Sequence, residues 1–213
     1  MKSSISILSS MNRLEYINEL NHTDCDYIHV DVMDGKFVKE TNFNLNETKA
    51  VNYVSNKPLD IHLMVDNPIN FINNYKGYKI EYITFHVECG KDIDKIINKI
   101  HKMGYKAGLS IKPKTDIKEI ENYLSKIDLI LVMSVEPGLG GQEFIKSTAK
   151  KVKELKEIIK EKKYDVLVEV DGGINNETVK LIPDADIVVI GSYLLNGNNR
   201  YDYKRYIKEV IGK

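Results

Sequence analysis

Short runs of apolar, β-branched residues recur along this 213-residue chain, and their repetition is the feature that most constrains the fold. Eight such runs predict strands at 4–8, 27–32, 59–65, 82–87, 106–111, 129–133, 166–170 and 187–191. The segments between them have helical spacing, most clearly at 91–103 and 147–162. Strands that alternate with helices pair in parallel through right-handed crossovers, so eight units predict an α/β fold, a closed (β/α)8 barrel.

An open, doubly wound sheet is the alternative architecture for alternating strands and helices. A glycine fingerprint after the first strand would favour it, but that segment reads SILSSMN at 6–12. No linker or low-complexity tract interrupts the pattern. We therefore expect one catalytic barrel domain over residues 1–213.

The charges of the chain are balanced, with 31 Lys plus Arg and 31 Asp plus Glu. This balance gives no electrostatic case for nucleic acid or an anionic membrane as partner. No apolar run approaches the roughly 20 residues that span a bilayer, and the N-terminal apolar stretch is too short for a signal peptide. Two cysteines, Cys25 and Cys89, make no disulfide framework, so we expect a cytoplasmic protein.

Polar residues and glycines collect where the predicted strands end. Barrel enzymes build their active sites at the C-terminal ends of the strands, so this placement predicts the position of the site. The residues concerned are Ser6, His29, Asp31, His62, His86, Glu88, Met133, Ser134, Asp171, Gly191 and Ser192.

Two histidines and two aspartates in this set have the chemistry of a metal site. His29 and Asp31 lie two apart on one strand and so face the same side, and His62 and Asp171 end other strands. Mixed nitrogen and oxygen ligands suit Zn²⁺, and also Fe²⁺, Mn²⁺ or Co²⁺. A single histidine on an apolar strand is more often a hydrogen-bonded core residue, but four such groups favour a metal. For His86 a fifth polar contact and a role in orienting its neighbours both remain open.

A divalent ion between two carboxylates points to proton removal next to a carbonyl, because the ion stabilises the resulting enediolate. In the predicted barrel, the strands of Asp31 and Asp171 are three strand-steps apart. The two acids could then flank a flat enediolate, one removing a proton and the other returning one. The alternative is that both aspartates are ligands only.

Glycines in three successive loops predict an anion site. EPGLGGQEF at 136–144, DGG at 171–173 and GS at 191–192 bring backbone N–H groups close to a phosphate. Arginine occurs only at 13, 200 and 205, so an arginine clamp is not expected. Glycine alone also marks ordinary turns.

Met33, Met64 and Met133 fall at one barrel level, either as packing or as a dry lining of the mouth.

Five segments carry a resemblance to a known family: SILS, HVDVMDGKFV, DIHLMV, MSVEPGLGGQEFI and VEVDGGIN. In this order they resemble the ribulose-phosphate 3-epimerase family, from about residue 4 to 192. The resemblance implies a TIM barrel of the ribulose-phosphate-binding type. It also implies one divalent metal and interconversion of D-ribulose 5-phosphate and D-xylulose 5-phosphate in the pentose phosphate pathway.

The resemblance also implies roles for individual residues. His29, Asp31, His62 and Asp171 would bind the metal, and Asp31 and Asp171 would be the acid/base pair. Ser6 and His62 would touch the sugar. The phosphate end would be surrounded by Gly138, Leu139, Gly140, Gly141, Gly172, Gly173, Gly191 and Ser192. Family members form dimers or larger rings, so a homo-oligomer is expected.

The chain departs from the family pattern at three places. Lys39-Glu40 replaces Pro-Asn in a loop over the site, Leu139 replaces Phe, and Lys112-Pro113 replaces Asn-Pro. Because this loop is altered, an epimerase of a six-carbon ketose phosphate such as D-allulose 6-phosphate is an alternative function. A catalytically silent sugar-phosphate-binding paralogue is a further alternative, although it would have no use for both acids.

Overall fold

The computed structural model describes residues 1–195 and 202–212; residues 196–201 and 213, within the expected 1–213 domain, lie outside the described part. The described part contains nine strands. They are β1 (Lys2–Ser6), β2 (Tyr27–Asp34), β3 (Thr41–Asn42), β4 (Leu59–Met64), β5 (Ile80–His86), β6 (Lys106–Ile111), β7 (Leu129–Met133), β8 (Leu167–Asp171) and β9 (Ile187–Ile190).

Eight of these strands form a closed parallel barrel. The order is β1-β9-β8-β7-β6-β5-β4-β2, and β1 also pairs with β2, which closes the ring. The ninth strand, β3, has only two residues and is not part of the parallel barrel, since it pairs antiparallel with the end of β2. The predicted (β/α)8 barrel is confirmed, and the open sheet is excluded.

Helices pack outside the barrel between successive strands. In the described part the α-helices are α1 (Arg13–Leu20), α2 (Leu45–Val54), α3 (Pro68–Ile72), α4 (Ile93–Lys102), α5 (Thr148–Lys162), α6 (Ser192–Leu195) and α7 (Tyr203–Ile211). The helix α4 buries Ile93, Ile96, Ile97 and Ile100 against the barrel, which is the expected helical spacing. Its first turn is capped by Asp92, whose carboxylate accepts a hydrogen bond from the Lys95 N–H.

Two features differ from the sequence-based expectation. β1 begins at Lys2 rather than residue 4, because Ser3 and Ser4 are buried by hydrogen bonds to Asp26 and Asp60 that apolar patterning does not register. Two crossovers contain 3₁₀ turns in place of α-helices. These turns span Ile117–Glu119 and Glu121–Lys126 between β6 and β7, and Thr178–Leu181 between β8 and β9.

The barrel interior changes from apolar to polar along its axis. Tyr27, Tyr82, Leu129 and Ile187 fill the end from which the strands start. Further along, the inward side chains include fully buried Ser4, His29, Asp60 and Glu169. Buried polar groups are costly unless they are paired, so this layer indicates a functional role rather than packing. No helix of the described part is long and apolar enough to cross a membrane.

Candidate active site and metal centre

The four predicted metal ligands meet at the C-terminal end of the barrel. Asp31 on β2 is in register with His62 on β4, which places both side chains at one height. One ligand atom from each of His29, Asp31, His62 and Asp171 lies within 4.8 Å of the others. His29 and His62 are completely buried, and Asp31 is nearly so.

The two histidine nitrogens that face the carboxylates are placed as ligands. His29 Nε2 lies 3.3 Å from Asp31 Oδ1 and 3.9 Å from Asp171 Oδ2. His62 Nδ1 lies 3.2 and 3.9 Å from the same two oxygens. His29 Nε2 is buried without a hydrogen bond, an uncommon state for a ring nitrogen unless an ion binds it. The residues present therefore fit a divalent ion with nitrogen and oxygen ligands.

A second layer of polar groups lies beneath His29. Its Nδ1 is 2.6 Å from Asp60 Oδ2, which also accepts a hydrogen bond of 2.7 Å from the Ser4 hydroxyl. Glu169 is fully buried beside Asp60, and both its burial and the charge of Asp60 raise its pKa well above the usual range. Our sequence reasoning missed Asp60 and Glu169. The signal was present, because each precedes a predicted ligand by two residues and so faces the same side.

His86 orients His62. The two Nε2 atoms lie 2.9 Å apart, and His86 Nδ1 lies 3.0 Å from Glu88 Oε2. Burial lowers the pKa of His86 to about 4, partly opposed by Glu88, so the ring is neutral near pH 7. Of the two roles left open for His86, the structure supports orientation of its neighbour, since His86 is not part of the four-residue cluster.

The two aspartates differ in their preference for a proton. Burial raises the pKa of Asp171 to about 6, and the nearby charge of Asp31 adds to the effect. Burial has the same tendency at Asp31, but the charge of His29 and the contact with His62 outweigh it and hold the pKa well below its usual range. A proton shared by the pair therefore resides on Asp171.

A cavity at the barrel mouth opens directly onto both acids. Its walls include the predicted sugar contact Ser6, whose hydroxyl donates a hydrogen bond of 2.9 Å to Asp31 Oδ2. Met33, Met64 and Met133 line the same cavity, as the dry-lining alternative requires. The predicted phosphate residues lie along its rim: Gly138, Leu139, Gly140, Gly141, Gly172, Gly173, Gly191 and Ser192.

Close packing leaves no room for a side chain at Gly172 or Gly173. A Cβ on Gly173 would lie 2.5 Å from the Phe144 nitrogen, and one on Gly172 would lie 2.5 Å from Val135. Ser134 fixes these loops, because its hydroxyl donates to the carbonyl oxygens of Asp171 and Gly172 at 2.8 and 2.6 Å. Among the described residues, the N–H groups of Gly141 and Gly173 donate to no protein acceptor. They remain available to an anion.

The loop that follows β2 is shaped by Asp34. Its Oδ1 accepts hydrogen bonds from the Lys36 and Phe37 N–H groups, and its Oδ2 accepts one from Asp66. Asp34 therefore belongs to a turn and is not part of the metal cluster. The two cysteines also lie outside that cluster, and both are free and buried.

Comparison with known sequences identifies close relatives along nearly the whole chain. The model of the "Ribulose-phosphate 3 epimerase family" matches residues 1–195. A ribulose-phosphate 3-epimerase of Bacillus subtilis is 37% identical over 92% of this chain and 90% of its own length. That of Buchnera aphidicola subsp. Baizongia pistaciae is 38% identical over 98% of this chain and 94% of its own length.

Solved structures with low sequence identity share the fold. A mutant tryptophan synthase alpha-subunit from Pyrococcus furiosus superposes with a TM-score of 0.71 at 17% identity, covering 100% of this chain and 98% of its own. At that identity the likeness concerns the barrel alone. The length of the family match and the identity of the relatives establish the relationship: this chain belongs to the ribulose-phosphate 3-epimerase family of carbohydrate isomerases.

Proposed function

We propose that this chain is a metal-dependent 3-epimerase that interconverts D-ribulose 5-phosphate and D-xylulose 5-phosphate in the pentose phosphate pathway. The family match and the names of the relatives support the activity. The observation that carries the mechanism is the pair of carboxylates, Asp31 and Asp171, facing the same two histidine nitrogens at the cavity floor.

The metal would be held by His29 Nε2, His62 Nδ1 and one oxygen each from Asp31 and Asp171. The buried His29 Nε2, which faces both carboxylates without a hydrogen bond, supports this assignment. The mixed ligand set favours Zn²⁺, with Fe²⁺, Mn²⁺ and Co²⁺ as alternatives. When bound, the ion would act as a Lewis acid that stabilises the negative charge of the enediolate.

Proton transfer would use the two aspartates in turn. In one direction, ionised Asp31 removes the proton from C3, and the electron pair of the C–H bond enters the enediolate. Asp171, whose pKa is raised to about 6 by burial and the charge of Asp31, returns its proton to the opposite face of C3. The reverse reaction exchanges the roles, so the pair carries one proton before and after each turnover and two while the enediolate exists.

Substrate binding would follow the polarity of the cavity. The Ser6 hydroxyl, which lines the cavity, would contact the sugar, and the family resemblance adds His62. Met33, Met64 and Met133 would exclude water from the reacting carbon. The free N–H groups of Gly141 and Gly173 would bind the phosphate, together with the loop at Gly191 and Ser192. Arg13 hydrogen-bonds Asn42 and pairs with Glu47, and Arg205 pairs with Asp202 and Glu209. Among the described residues, backbone donors are therefore the supported means.

The remaining assignments rest on sequence. The balanced charges favour a small sugar phosphate over nucleic acid as the partner. We also propose a single catalytic domain, cytoplasmic and homo-oligomeric, as the two free cysteines and the family resemblance suggest.

Metal removal and reconstitution test this function. The purified chain would be stripped with a chelator, verified by metal analysis, and assayed with D-ribulose 5-phosphate before and after addition of Zn²⁺, Mn²⁺, Fe²⁺ or Co²⁺. We expect activity to disappear and to return with at least one ion. Full activity in verified metal-free protein would contradict the metal role. Faster turnover of D-allulose 6-phosphate would move the substrate to a six-carbon sugar, and phosphate affinity without metal or turnover would favour a silent binder.

A further inference from the structure

The covering loop, defined here as residues 35–40, lies across the mouth of the barrel. It leaves β2 and reaches Gly138 in the loop after β7, where a Cβ on Gly138 would lie 3.3 Å from Val38 Cβ and 2.8 Å from Glu40 Oε2. β2 and β7 are four strands apart in either direction around the eight-stranded ring. The loops that follow β2 and β7 therefore meet over the mouth of the barrel.

Phe37 attaches the centre of the covering loop to the metal-site histidines. Its ring lies 4.8 Å from that of His86, with 39° between the planes. The ring of His86 in turn lies 5.0 Å from that of His62, at 32°. The position of the loop is thus connected to a proposed metal ligand through two aromatic contacts.

Lys112 lies over the ring of Phe37. Its Nζ lies 4.1 Å from the centre of the Phe37 ring, the shortest lysine–aromatic distance in the described part of the chain. A cation over a ring face is attracted by the ring electrons, and the attraction grows as water is excluded. Lys112 is one of the positions at which this chain departs from the family pattern.

The backbone that carries Lys112 is held in place by other contacts. The Lys112 N–H donates to Glu88 Oε1 at 2.7 Å, and the other oxygen of Glu88 contacts His86. Lys151 Nζ donates to the carbonyl oxygens of Lys112, Pro113 and Thr115. These contacts fix the position of the backbone from which the lysine side chain reaches the ring.

We propose that Lys112 is a positioning residue that holds Phe37 against His86 and keeps the covering loop closed over the cavity. Closure of a loop over a reacting enediolate excludes water and retains the intermediate. The consequence for substrate binding rests on the function proposed above, whereas the contact between Lys112 and the loop does not.

Hydrogen exchange measured by mass spectrometry tests the contact without reference to activity. We expect Lys112→Met to accelerate exchange in a peptide spanning 35–40 about fivefold, the effect of losing one cation–π contact. Lys112→Arg, which retains the cation, should stay within about twofold of the parent chain. The matched control is Lys126→Met, because Lys126 Nζ lies 5.5 Å from the Tyr123 ring, outside this cluster. Unchanged exchange in Lys112→Met would overturn the proposal.

A double-mutant comparison tests whether the effect passes through Phe37. With D-ribulose 5-phosphate, Lys112→Met should raise KM several-fold with a smaller change in kcat, and Lys112→Arg should restore KM. In a Phe37→Leu background, Lys112→Met should have little further effect on exchange or KM. An equal effect in both backgrounds would overturn the proposal. Altered exchange in a chain that turns over no sugar phosphate would support the contact and contradict the proposed function instead.

Discussion

His29 Nδ1 and Asp60 Oδ2 form a hydrogen bond of 2.6 Å at the centre of the barrel. When the ring is neutral and its proton on Nδ1 is donated to this carboxylate, the lone pair is on Nε2, the atom that faces Asp31 and Asp171. Asp60 therefore sets both the tautomer and the orientation of a proposed metal ligand. A carboxylate in this position also raises the basicity of the imidazole.

Asp60→Asn should weaken metal binding by about 10- to 100-fold, because the amide is a weaker acceptor than the carboxylate. Competition with a chromophoric chelator measures this affinity directly. The matched control is Asp128→Asn, which alters an exposed Asp–His pair with His101, 2.9 Å apart and outside the site. Equal metal affinity in the parent chain and Asp60→Asn would contradict the role of Asp60.

Asp171→Asn should lower kcat by about 1,000-fold or more while the barrel remains folded, since the amide neither accepts nor returns the proton. Steady-state kinetics and thermal unfolding together measure the two properties. Asp165→Asn, at an exposed position shortly before the same strand, serves as the control. Activity close to the parent value in metal-loaded Asp171→Asn would rule out the two-acid mechanism.

Gly173→Ala should raise KM for the sugar phosphate more than tenfold, because the new Cβ would displace the backbone that carries the free N–H. Its φ is 64°, and the Cβ would lie 2.5 Å from the Phe144 nitrogen. Gly90→Ala is a close control, with φ of 65° and nothing within 4 Å of the added carbon. The control should lose about 1 kcal/mol of stability through backbone strain and keep its KM. A similar KM in both variants would argue against phosphate binding at Gly173.

Stability should fall in acid partly because of His86. Burial lowers its pKa from 6.5 to about 4, so between these pH values the unfolded chain binds a proton that the folded chain does not. This contribution to the free energy of unfolding is at most about 3 kcal/mol. It is fully present above about pH 6.5 and is lost as the pH falls towards about 4. Denaturant unfolding across this range should show a shallower pH dependence for His86→Asn than for the parent chain. The exposed variant His22→Asn should retain the full dependence, and an unchanged slope in His86→Asn would contradict the assignment.

Much of the barrel and the cluster could be predicted from the sequence, because both rest on short-range patterns. β-branched runs identified the eight strands, and the spacing of His29 and Asp31 placed two side chains on one face. Their convergence with His62 and Asp171 followed from parallel strands, whose carboxyl ends meet at one end of a barrel.

Local sequence patterns do not predict contacts between segments that are distant along the chain. Phe37, His86 and Lys112 come from three separate loops or strand ends, and only the closed barrel brings them together. The start of β1 was also missed, since Ser3 and Ser4 are buried through side-chain partners rather than by apolar character. The spacing of Glu169 from Asp171 predicts a shared face, but its pairing with Asp60 joins two strands that are distant along the chain, which one strand alone does not indicate.

The central claim is that the chain removes and returns the proton at C3 of D-ribulose 5-phosphate. Proton NMR of the metal-loaded chain with this substrate in D₂O measures that step directly. We expect deuterium at C3 together with the appearance of D-xylulose 5-phosphate, and no D-xylulose 5-phosphate with Asp171→Asn. Formation of D-xylulose 5-phosphate with the original proton retained at C3, or no exchange at C3 in the metal-loaded chain, would contradict it.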